Sequence, residues 1–304
     1  MNDDNEIYDH YLFGIGKGGI KAVSYIEKNW NNIHCDSIKY VISDTDEVIL
    51  NQSSIKNKVL LSNKYKLLDI DKEKLIEHTT NRTLIYLFAG AGGDIGEYLL
   101  YDICMTFQKS SPFTINFLSI PFDFEGHEKI ENAKQIATKI TNECGRVVTI
   151  DSQQILLSKP DLYLSDCFSE LHKVQYQLFW NSVRCFPAYG YICIDLSDLL
   201  YIPYSSKKLC TGFGGANGKN RVEKAFRDAR KFLFQEIEQH EINAYYVMFH
   251  SSTTIRLTEE DIDDLNKLIR KESESIICII GAIFNEHVKS EIEMYVIAGD
   301  LAYQ

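Results

Sequence analysis

The residues in this sequence whose type and spacing suggest chemistry are glycines that stand close together. Most of the 17 glycines fall into three clusters. The clusters are Gly14, Gly16, Gly18 and Gly19; Gly90, Gly92, Gly93 and Gly96; and Gly212, Gly214, Gly215 and Gly218. Clustered glycine marks backbone that turns tightly or approaches another group closely. Where such backbone opens a helix, its free N–H groups bind phosphate, so clusters at helix starts predict a phosphate site.

The first two clusters stand where a predicted strand runs into a predicted helix. In doubly wound sheets, ligands bind at the carboxyl ends of the strands, which is where these clusters fall. The first cluster also fits the dinucleotide pattern G-x-G-x-x-G. The acidic residue expected about 20 positions later is matched only loosely, by Asp36. This motif alone therefore leaves open a nicotinamide-type dinucleotide site and a mononucleotide site.

A second chemical feature is the pair Asp195 and Asp198 in the segment DLSD. Two such carboxylates can orient and polarise a water molecule that attacks a phosphate. The simpler interpretation is an Asx-type turn, in which the side chain accepts a hydrogen bond from nearby backbone. The spacing by itself leaves both interpretations open.

Short apolar runs alternate with amphipathic stretches through the first half of the chain. Strands are predicted at 11–15, 38–42, 59–61, 84–88, 114–120 and 147–150, and helices at 20–29, 96–107 and 128–142. Such alternation implies a mostly parallel sheet covered on both faces. The predicted fold class is therefore α/β, with a Rossmann-type parallel-sheet nucleotide-binding domain.

A long helical stretch over 161–186 divides this pattern from a different one. We predict a nucleotide-binding-type α/β domain at 1–160, a central helix at 161–187 and a smaller C-terminal α+β domain at 188–304, which carries the acidic loop. In the last domain, helices are predicted at 220–238 and 258–270, the second with a capping box of Thr258 and Asp261. The third glycine cluster is predicted to turn into the first of these helices. The apolar segments 276–284 and 292–298 are predicted to pair as closing strands.

Composition excludes several classes of protein. A net charge of −11 argues against non-specific binding to DNA or to anionic lipid, so no nucleic-acid partner is expected. No apolar run approaches the roughly 20 residues of a membrane span, and the N-terminus lacks a secretory signal. The 8 cysteines include no C-x-x-C pair, so neither a zinc site nor a disulfide framework is predicted. These features are typical of a cytoplasmic protein.

Several segments, in order along the chain, resemble the FtsZ branch of the tubulin superfamily. They are GIGKGGIKAV at 14–23, DTDEVIL at 44–50, AGAGGDIG at 89–96, IPFDFEGHEK at 120–129, DLSD at 195–198, GANGKNR at 215–221 and SIICIIGAIFNEHVKSEIEMYVIAGD at 275–300. The resemblance covers nearly the whole chain and implies a tubulin/FtsZ-like fold. The second half of the chain thereby disfavours a nicotinamide-dependent enzyme.

The resemblance also implies a function. Family members bind GTP or GDP in the first domain and stack head to tail, and the acidic loop of one subunit completes the nucleotide site of the next. Asp195 and Asp198 would then be the catalytic residues of a GTPase that is active only on self-assembly. Among the matched positions, Phe168 is expected to pack on the base and Glu125 to bind the ribose. The nucleotide contacts implied in this way are Gly16, Lys17, Gly18, Gly19, Lys21, Gly92, Gly93, Asp94, Gly96, Glu125, Lys129, Ser152, Phe168 and His172.

Departures from the family concentrate in the predicted pocket. Asp94 and Glu97 stand in a loop from which both family threonines are missing. We expect Lys17 and Lys21 to face these acids, or Mg²⁺ to offset their charge. Three of the family's base-reading positions hold other residues, which are Lys21, Ser152 and His172. The loop between residues 59 and 76 has none of the glycines with which relatives sense the terminal phosphate.

These departures keep a second function open. The chain would then be a scaffold or filament protein of the same fold, with a degenerate pocket and little or no GTPase activity. In either case the expected partner is a second copy of the chain. The sequence contains no flexible tail of the kind with which relatives recruit membrane adaptors, so no adaptor-binding tail is expected.

Overall fold

Parallel strands and helices alternate along the first part of the chain, and an antiparallel pattern follows. The computed structural model describes residues 9–30, 38–77, 79–80, 83–111, 113–159, 161–185, 191–192, 194, 196–233 and 241–301, with the backbone alone at 196–200 and 232–233. The chain divides into two compact units, which are residues 1–177 (unit 1) and 178–304 (unit 2). The division falls inside the long helix that the sequence predicts.

The sheet of unit 1 consists of parallel strands. Their bounds are β1 (Asp9–Ile15), β2 (Ile38–Asp44), β3 (Asn57–Leu60), β4 (Thr83–Gly90), β5 (Thr114–Ile120) and β6 (Val147–Asp151). They are ordered β3-β2-β1-β4-β5-β6, and every neighbouring pair is parallel. All seven residues of β5 are buried, because helices cover both faces of a parallel sheet. The predicted α/β architecture is confirmed.

Helices follow the strands of unit 1. Their bounds are α1 (Gly16–Asn29), α2 (Glu47–Asn51), α3 (Asp69–Ile76), α4 (Asp94–Tyr98), α5 (Leu100–Ser110), α6 (His127–Glu143), α7 (Ser152–Ser158) and α8 (Leu164–Arg184), which continues into unit 2. The prediction of a single helix at 96–107 is wrong, because this stretch is divided between α4 and α5. It is broken between α4 and α5, where the consecutive residues Leu99 and Leu100 are both fully buried.

Unit 2 contains α9 (Leu196–Ser205), β7 (Ser206–Ala216), α10 (Arg221–Leu233), β8 (Ala244–Ser251), α11 (Glu259–Arg270), β9 (Ile277–Phe284) and β10 (Ile292–Leu301). Its strands are ordered β7-β10-β8-β9. The predicted pairing of the two closing strands is wrong, because β8 lies between them. The crossover through α11 places β9 parallel to β8, and β10 takes the other side of β8 as an antiparallel neighbour.

The third glycine cluster does not form the predicted turn. Gly212, Gly214 and Gly215 lie within β7, and only Gly218, with φ of +69°, lies in the turn before α10. A Cβ atom on Gly214 would stand 1.9 Å from the carbonyl oxygen of Ala225 in α10. These strand glycines therefore allow a helix to approach the sheet closely. The predicted capping box of Thr258 and Asp261 at the start of α11 is confirmed.

Candidate functional site

A cavity of about 700 Å³ opens in unit 1 at the carboxyl ends of the parallel strands. The segments that follow β1, β2, β4 and β5 and the start of α7 line it, together with one face of α8. This is the position at which doubly wound sheets bind their ligands.

The cavity brings together the nucleotide contacts that the family resemblance implies, with the exception of Gly19. A Cβ atom on Gly19 would stand 2.0 Å from the carbonyl oxygen of Phe88, so this glycine serves the contact between α1 and β4. The predicted residues that line the cavity are Gly16, Lys17, Gly18, Lys21, Gly92, Gly93, Asp94, Gly96, Glu125, Lys129, Ser152, Phe168 and His172.

The N-terminus of α1 brings positively charged groups to the wall of the cavity. Gly16 has a φ of +68°, and Ile15 before it provides no side-chain cap for the first N–H groups of the helix. Lys17 and Lys21 are exposed, and among the described residues neither takes part in an ion pair. Free N–H groups, the positive end of the helix dipole and unpaired ammonium groups together attract an anion.

Another part of the wall is acidic, and the ion pair found there was not predicted from the sequence. The carboxylate of Asp94 lies 2.6 Å from Nζ of Lys64, which belongs to the segment between β3 and α3. Among the described residues, Asp94 forms this ion pair with Lys64 and not with Lys17 or Lys21, which the sequence predicts to face it. Glu97 is exposed beside Tyr98, whose phenol donates a hydrogen bond to it. Lys64 was missed because it lies 30 residues before Asp94, in a loop that no motif marks.

Asp44 and Asp46 add two more carboxylates to the acidic wall. Asp44 is the last residue of β2, and Asp46 caps α2 by accepting a hydrogen bond from the N–H of Val48 at 2.8 Å. Burial raises the pKa of Asp44, and the Asp46 and Asp94 carboxylates raise it further, whereas hydrogen bonds from the N–H groups of Asp46 and Thr45 lower it. Their position was indicated in the sequence by the segment DTDEVIL.

Aromatic side chains lie at another part of the cavity. Phe168 on α8 is 42% exposed and meets Phe122 edge-on, with ring centroids 5.4 Å apart. His172 lies one turn further along α8, and its Nδ1 donates a hydrogen bond to Oε1 of Gln175 at 2.9 Å. Burial lowers the pKa of His172, and the charge of Lys21 lowers it further, against the hydrogen bond to Gln175, which raises it. A neutral imidazole leaves Nε2 as an acceptor.

Three further predicted contacts, Glu125, Lys129 and Ser152, differ in whether they have hydrogen-bond partners. Nζ of Lys129 lies 2.6 Å from Oε2 of Glu125, and the N–H of Phe122 donates to Oε1 of Glu125 at 3.1 Å. The hydroxyl of Ser152, in contrast, is buried and has no hydrogen-bond partner in the part of the chain that the structure describes. A buried hydroxyl without a partner is a group that a ligand can satisfy.

The side chains of the acidic pair of unit 2, Asp195 and Asp198, are not among those that the structure describes. Asp195 lies outside the described residues, and Asp198 lies in α9 rather than in a loop, with its backbone alone described. Within the described ranges, no three His, Cys, Asp or Glu side chains are arranged to hold a metal ion. No described helix is long and apolar enough to span a membrane.

Comparison with known proteins found relatives in sequence and in structure. No protein-family model matches the chain. It is 26% identical over 266 residues to the mitochondrial division protein fszB of Dictyostelium discoideum, covering 82% of this chain and 72% of that protein. It is 21% identical over 304 residues to the cell division protein FtsZ of Bartonella bacilliformis, covering 94% of this chain but 50% of that protein.

Solved structures show the same fold. An empty FtsZ dimer from M. jannaschii matches with a TM-score of 0.78 and 15% identity over 96% of this chain and 88% of that one. CetZ2 from Haloferax volcanii, solved as a protofilament with bound GTPγS, matches with a TM-score of 0.75 and 14% identity over 96% of this chain and 92% of that one.

Proposed function

We propose that this chain, which belongs to the FtsZ/tubulin superfamily, binds a guanine nucleotide in the cavity of unit 1 and assembles head to tail with copies of itself. One observation carries the proposal. The positions matched to the family's nucleotide contacts come from five separate segments, and all but Gly19 line one cavity beside the uncapped start of α1. The nucleotide and the filament of CetZ2 are consistent with it.

The cavity offers a distinct place to each part of a nucleotide. The N–H groups at the start of α1, with Lys17 and Lys21, would hold phosphate. Phe168 offers an exposed ring on which a base can stack. His172 Nε2 and the Ser152 hydroxyl are a neutral acceptor and an unsatisfied hydroxyl in the same cavity.

Hydrolysis of GTP would need a second subunit. In the family arrangement, Asp195 and Asp198 of one copy would reach the nucleotide of the next and polarise the attacking water. Contacts that are head to tail do not close on themselves, so they generate filaments. Mg²⁺ bound with the phosphates would offset the negative charge of Asp94.

The first experiment measures what the purified protein carries and does. The ratio of absorbance at 260 and 280 nm, followed by chromatography of released nucleotide, is expected to show GDP or GTP. GTP turnover and sedimentation are then expected to rise together with protein concentration. An empty protein that neither binds added nucleotide nor turns it over would refute the proposal.

A separate variant tests whether Asp198 acts on the nucleotide of the neighbouring subunit. Asp198→Ala is expected to abolish turnover and to leave nucleotide binding intact, because the residue would act on the neighbour's nucleotide. Asp263→Ala, which removes an exposed carboxylate from α11, is the matched control and should retain turnover. Loss of binding in Asp198→Ala would contradict the role in trans.

A second function is favoured by the acidic wall. The Lys64–Asp94 ion pair places a carboxylate inside the cavity, where it opposes additional phosphate. The chain would then form scaffolds or filaments with little or no GTPase activity. Assembly that is independent of added GTP, measured by sedimentation, would support this function over the first.

A further inference from the structure

The charges that line the cavity are unevenly distributed. Lys17 lies at the start of α1, and Lys21, whose charge reaches His172, lies one turn later towards the aromatic part of the wall. Asp44 interacts electrostatically with Asp46 and Asp94, so these three carboxylates lie near one another. Among the described residues, Lys64 forms an ion pair with one of them, Asp94. One part of the cavity attracts anions, and another part repels them.

The loop that carries Lys64 is held in place by its own side chains. At its start, the N–H and the hydroxyl of Ser62 donate to the buried carboxylate of Asp71, at 3.1 and 2.8 Å. In its middle, Oδ1 of Asn63 accepts hydrogen bonds from the N–H groups of Tyr65 and Lys66. At its end, Leu67 is buried in the core. The loop therefore needs no ligand to adopt this conformation.

Two contacts join this loop to α4 at the edge of the cavity. Besides the Lys64–Asp94 ion pair at 2.6 Å, the rings of Tyr65 and Tyr98 meet edge-on with centroids 5.0 Å apart. The ammonium group that a long phosphate chain would need there already has a carboxylate partner. Both Lys64 and Asp94 line the cavity, so a chain that extends beyond the start of α1 meets them.

We infer that the carboxylates of Asp44, Asp46 and Asp94, which Lys64 neutralises only in part, make the cavity selective for a nucleoside diphosphate over the triphosphate. The reason is electrostatic: a third phosphate adds negative charge beside these three carboxylates. This inference rests on the proposed nucleotide site, and it names the class of nucleotide that the site retains.

The test is to titrate nucleotide-free protein with GDP and with GTPγS, at one ionic strength and in EDTA so that no divalent cation masks the carboxylates. Wild type is expected to bind GDP at least about fivefold more tightly than GTPγS, so the ratio of the GTPγS to the GDP dissociation constant is at least about five. One unit charge at contact distance produces a change of this size in water. Asp94→Asn is expected to move the ratio of dissociation constants towards one. Lys64→Gln, which leaves Asp94 unpaired, is expected to increase the ratio.

Asp69→Asn is the matched control, since Asp69 forms an exposed ion pair with Lys72 outside the cavity. It should leave the ratio unchanged. A wild type that binds GTPγS as tightly as GDP, or a ratio that Asp94→Asn does not move, would overturn the inference and leave the proposed site intact. Failure of wild type to bind either nucleotide would refute the proposed site and the selectivity with it.

A ligand-free measurement checks the loop separately. Amide hydrogens of residues 62–67 are expected to exchange at the same rate in nucleotide-free wild type, Asp94→Asn, Lys64→Gln and Asp69→Asn, because the loop's own side chains hold it. Faster exchange in Asp94→Asn and Lys64→Gln would show that a displaced loop, and not charge, changes the ratio, and would overturn the inference.

Discussion

The glycines of β7 in unit 2 and those around the cavity of unit 1 are similarly dense in the sequence, yet their surroundings differ. A Cβ atom on Gly214 would collide with the backbone of α10, whereas a Cβ atom on Gly93 would meet nothing within 4 Å. At Gly18 the same atom would make only an ordinary contact, 3.5 Å from the nitrogen of Gly90. Gly214 therefore lets a helix approach a strand, and Gly18 and Gly93 leave backbone open at the cavity. Gly96 lines the cavity but also serves packing, because a Cβ atom there would stand 2.3 Å from the carbonyl oxygen of Ala91.

Charged side chains show the same contrast. Arg221, in unit 2, is nearly buried between Asp261 at 2.6 Å and Glu291 at 3.3 Å. Lys17 and Lys21, at the cavity of unit 1, are exposed and unpaired among the described residues. Groups that are satisfied inside a unit stabilise its fold, whereas groups left unsatisfied around a cavity are available to a ligand. The contrast therefore separates structural residues from candidate binding residues of the same types.

The largest expected effect tests the glycines. Gly214→Ala is expected to lower the free energy of unfolding by about 3 kcal/mol, because the new methyl group overlaps the backbone of α10. Gly93→Ala is the control, with an expected change within about 0.5 kcal/mol. Urea unfolding measures both. Equal losses in the two variants would remove the distinction between packing glycines and open glycines.

The second largest expected effect is on stability, and it tests the ion-paired side chain of Arg221. Arg221→Gln is expected to cost about 2 kcal/mol of unfolding free energy, less than a fully buried ion pair because the Glu291 side chain is 31% exposed. Lys17→Gln should leave stability within about 0.5 kcal/mol of wild type. The comparison fails if Lys17→Gln destabilises the protein as much as Arg221→Gln does.

A smaller effect is expected on ligand binding. Lys17→Gln and Lys21→Gln are each expected to weaken GDP binding about fivefold at low salt and less at high salt, because the charges act on phosphate through solvent. Lys28→Gln, in the last turn of the same helix, is the control. Titrations at two salt concentrations measure the effect, and equal weakening by Lys28→Gln would show that it is not local.

The smallest expected effect is on how the free energy of unfolding depends on pH. Ionisation of Asp44 in unit 1 and of Asp261 in unit 2 is expected to change this free energy in opposite directions. Asp44 has a raised pKa, so its ionisation destabilises the fold at neutral pH, and this loss fades as pH falls towards the ordinary value of 3.8. Asp44→Asn should therefore stabilise the protein at pH 7, with a gain that shrinks in acid.

Burial raises the pKa of Asp261, but hydrogen bonds from Arg221 and Thr258 outweigh it, so the net pKa is lowered. Its ionisation thus stabilises the fold above 3.8, and this stability is lost as pH falls below that value. Asp261→Asn should therefore destabilise the protein at pH 7. Thermal unfolding from pH 7 to pH 4 measures both variants, and effects of the same sign would contradict the contrast.

Local pattern was enough to predict most of unit 1. The apolar runs of β1, β4 and β5 and the helical spacing of α6 are properties of consecutive residues, so the sequence alone indicates them. The parallel order of these strands then places their following loops at one edge of the sheet. That is why Gly16, Lys17, Gly92 and Gly93 could be assigned to one cavity in advance.

Pairing across the chain was not predictable in this way. The partner of Asp94 is Lys64, because the Ser62–Asp71 contacts and the burial of Leu67 fix the loop beside α4. Nothing in the residues next to Lys64 encodes that position. Likewise, β9 and β10 look like a pair in sequence, and the crossover through α11 is what separates them.

The sequence by itself determined most element types, the α/β class and most of the segments that surround the cavity, because these depend on short-range periodicity and on motifs in order. The tertiary structure alone decided which glycines serve packing, which lysines stay free and which carboxylate meets which cation. Those outcomes depend on distances between residues that are far apart in the chain, and one glycine or one lysine looks like another until its neighbours in space are known.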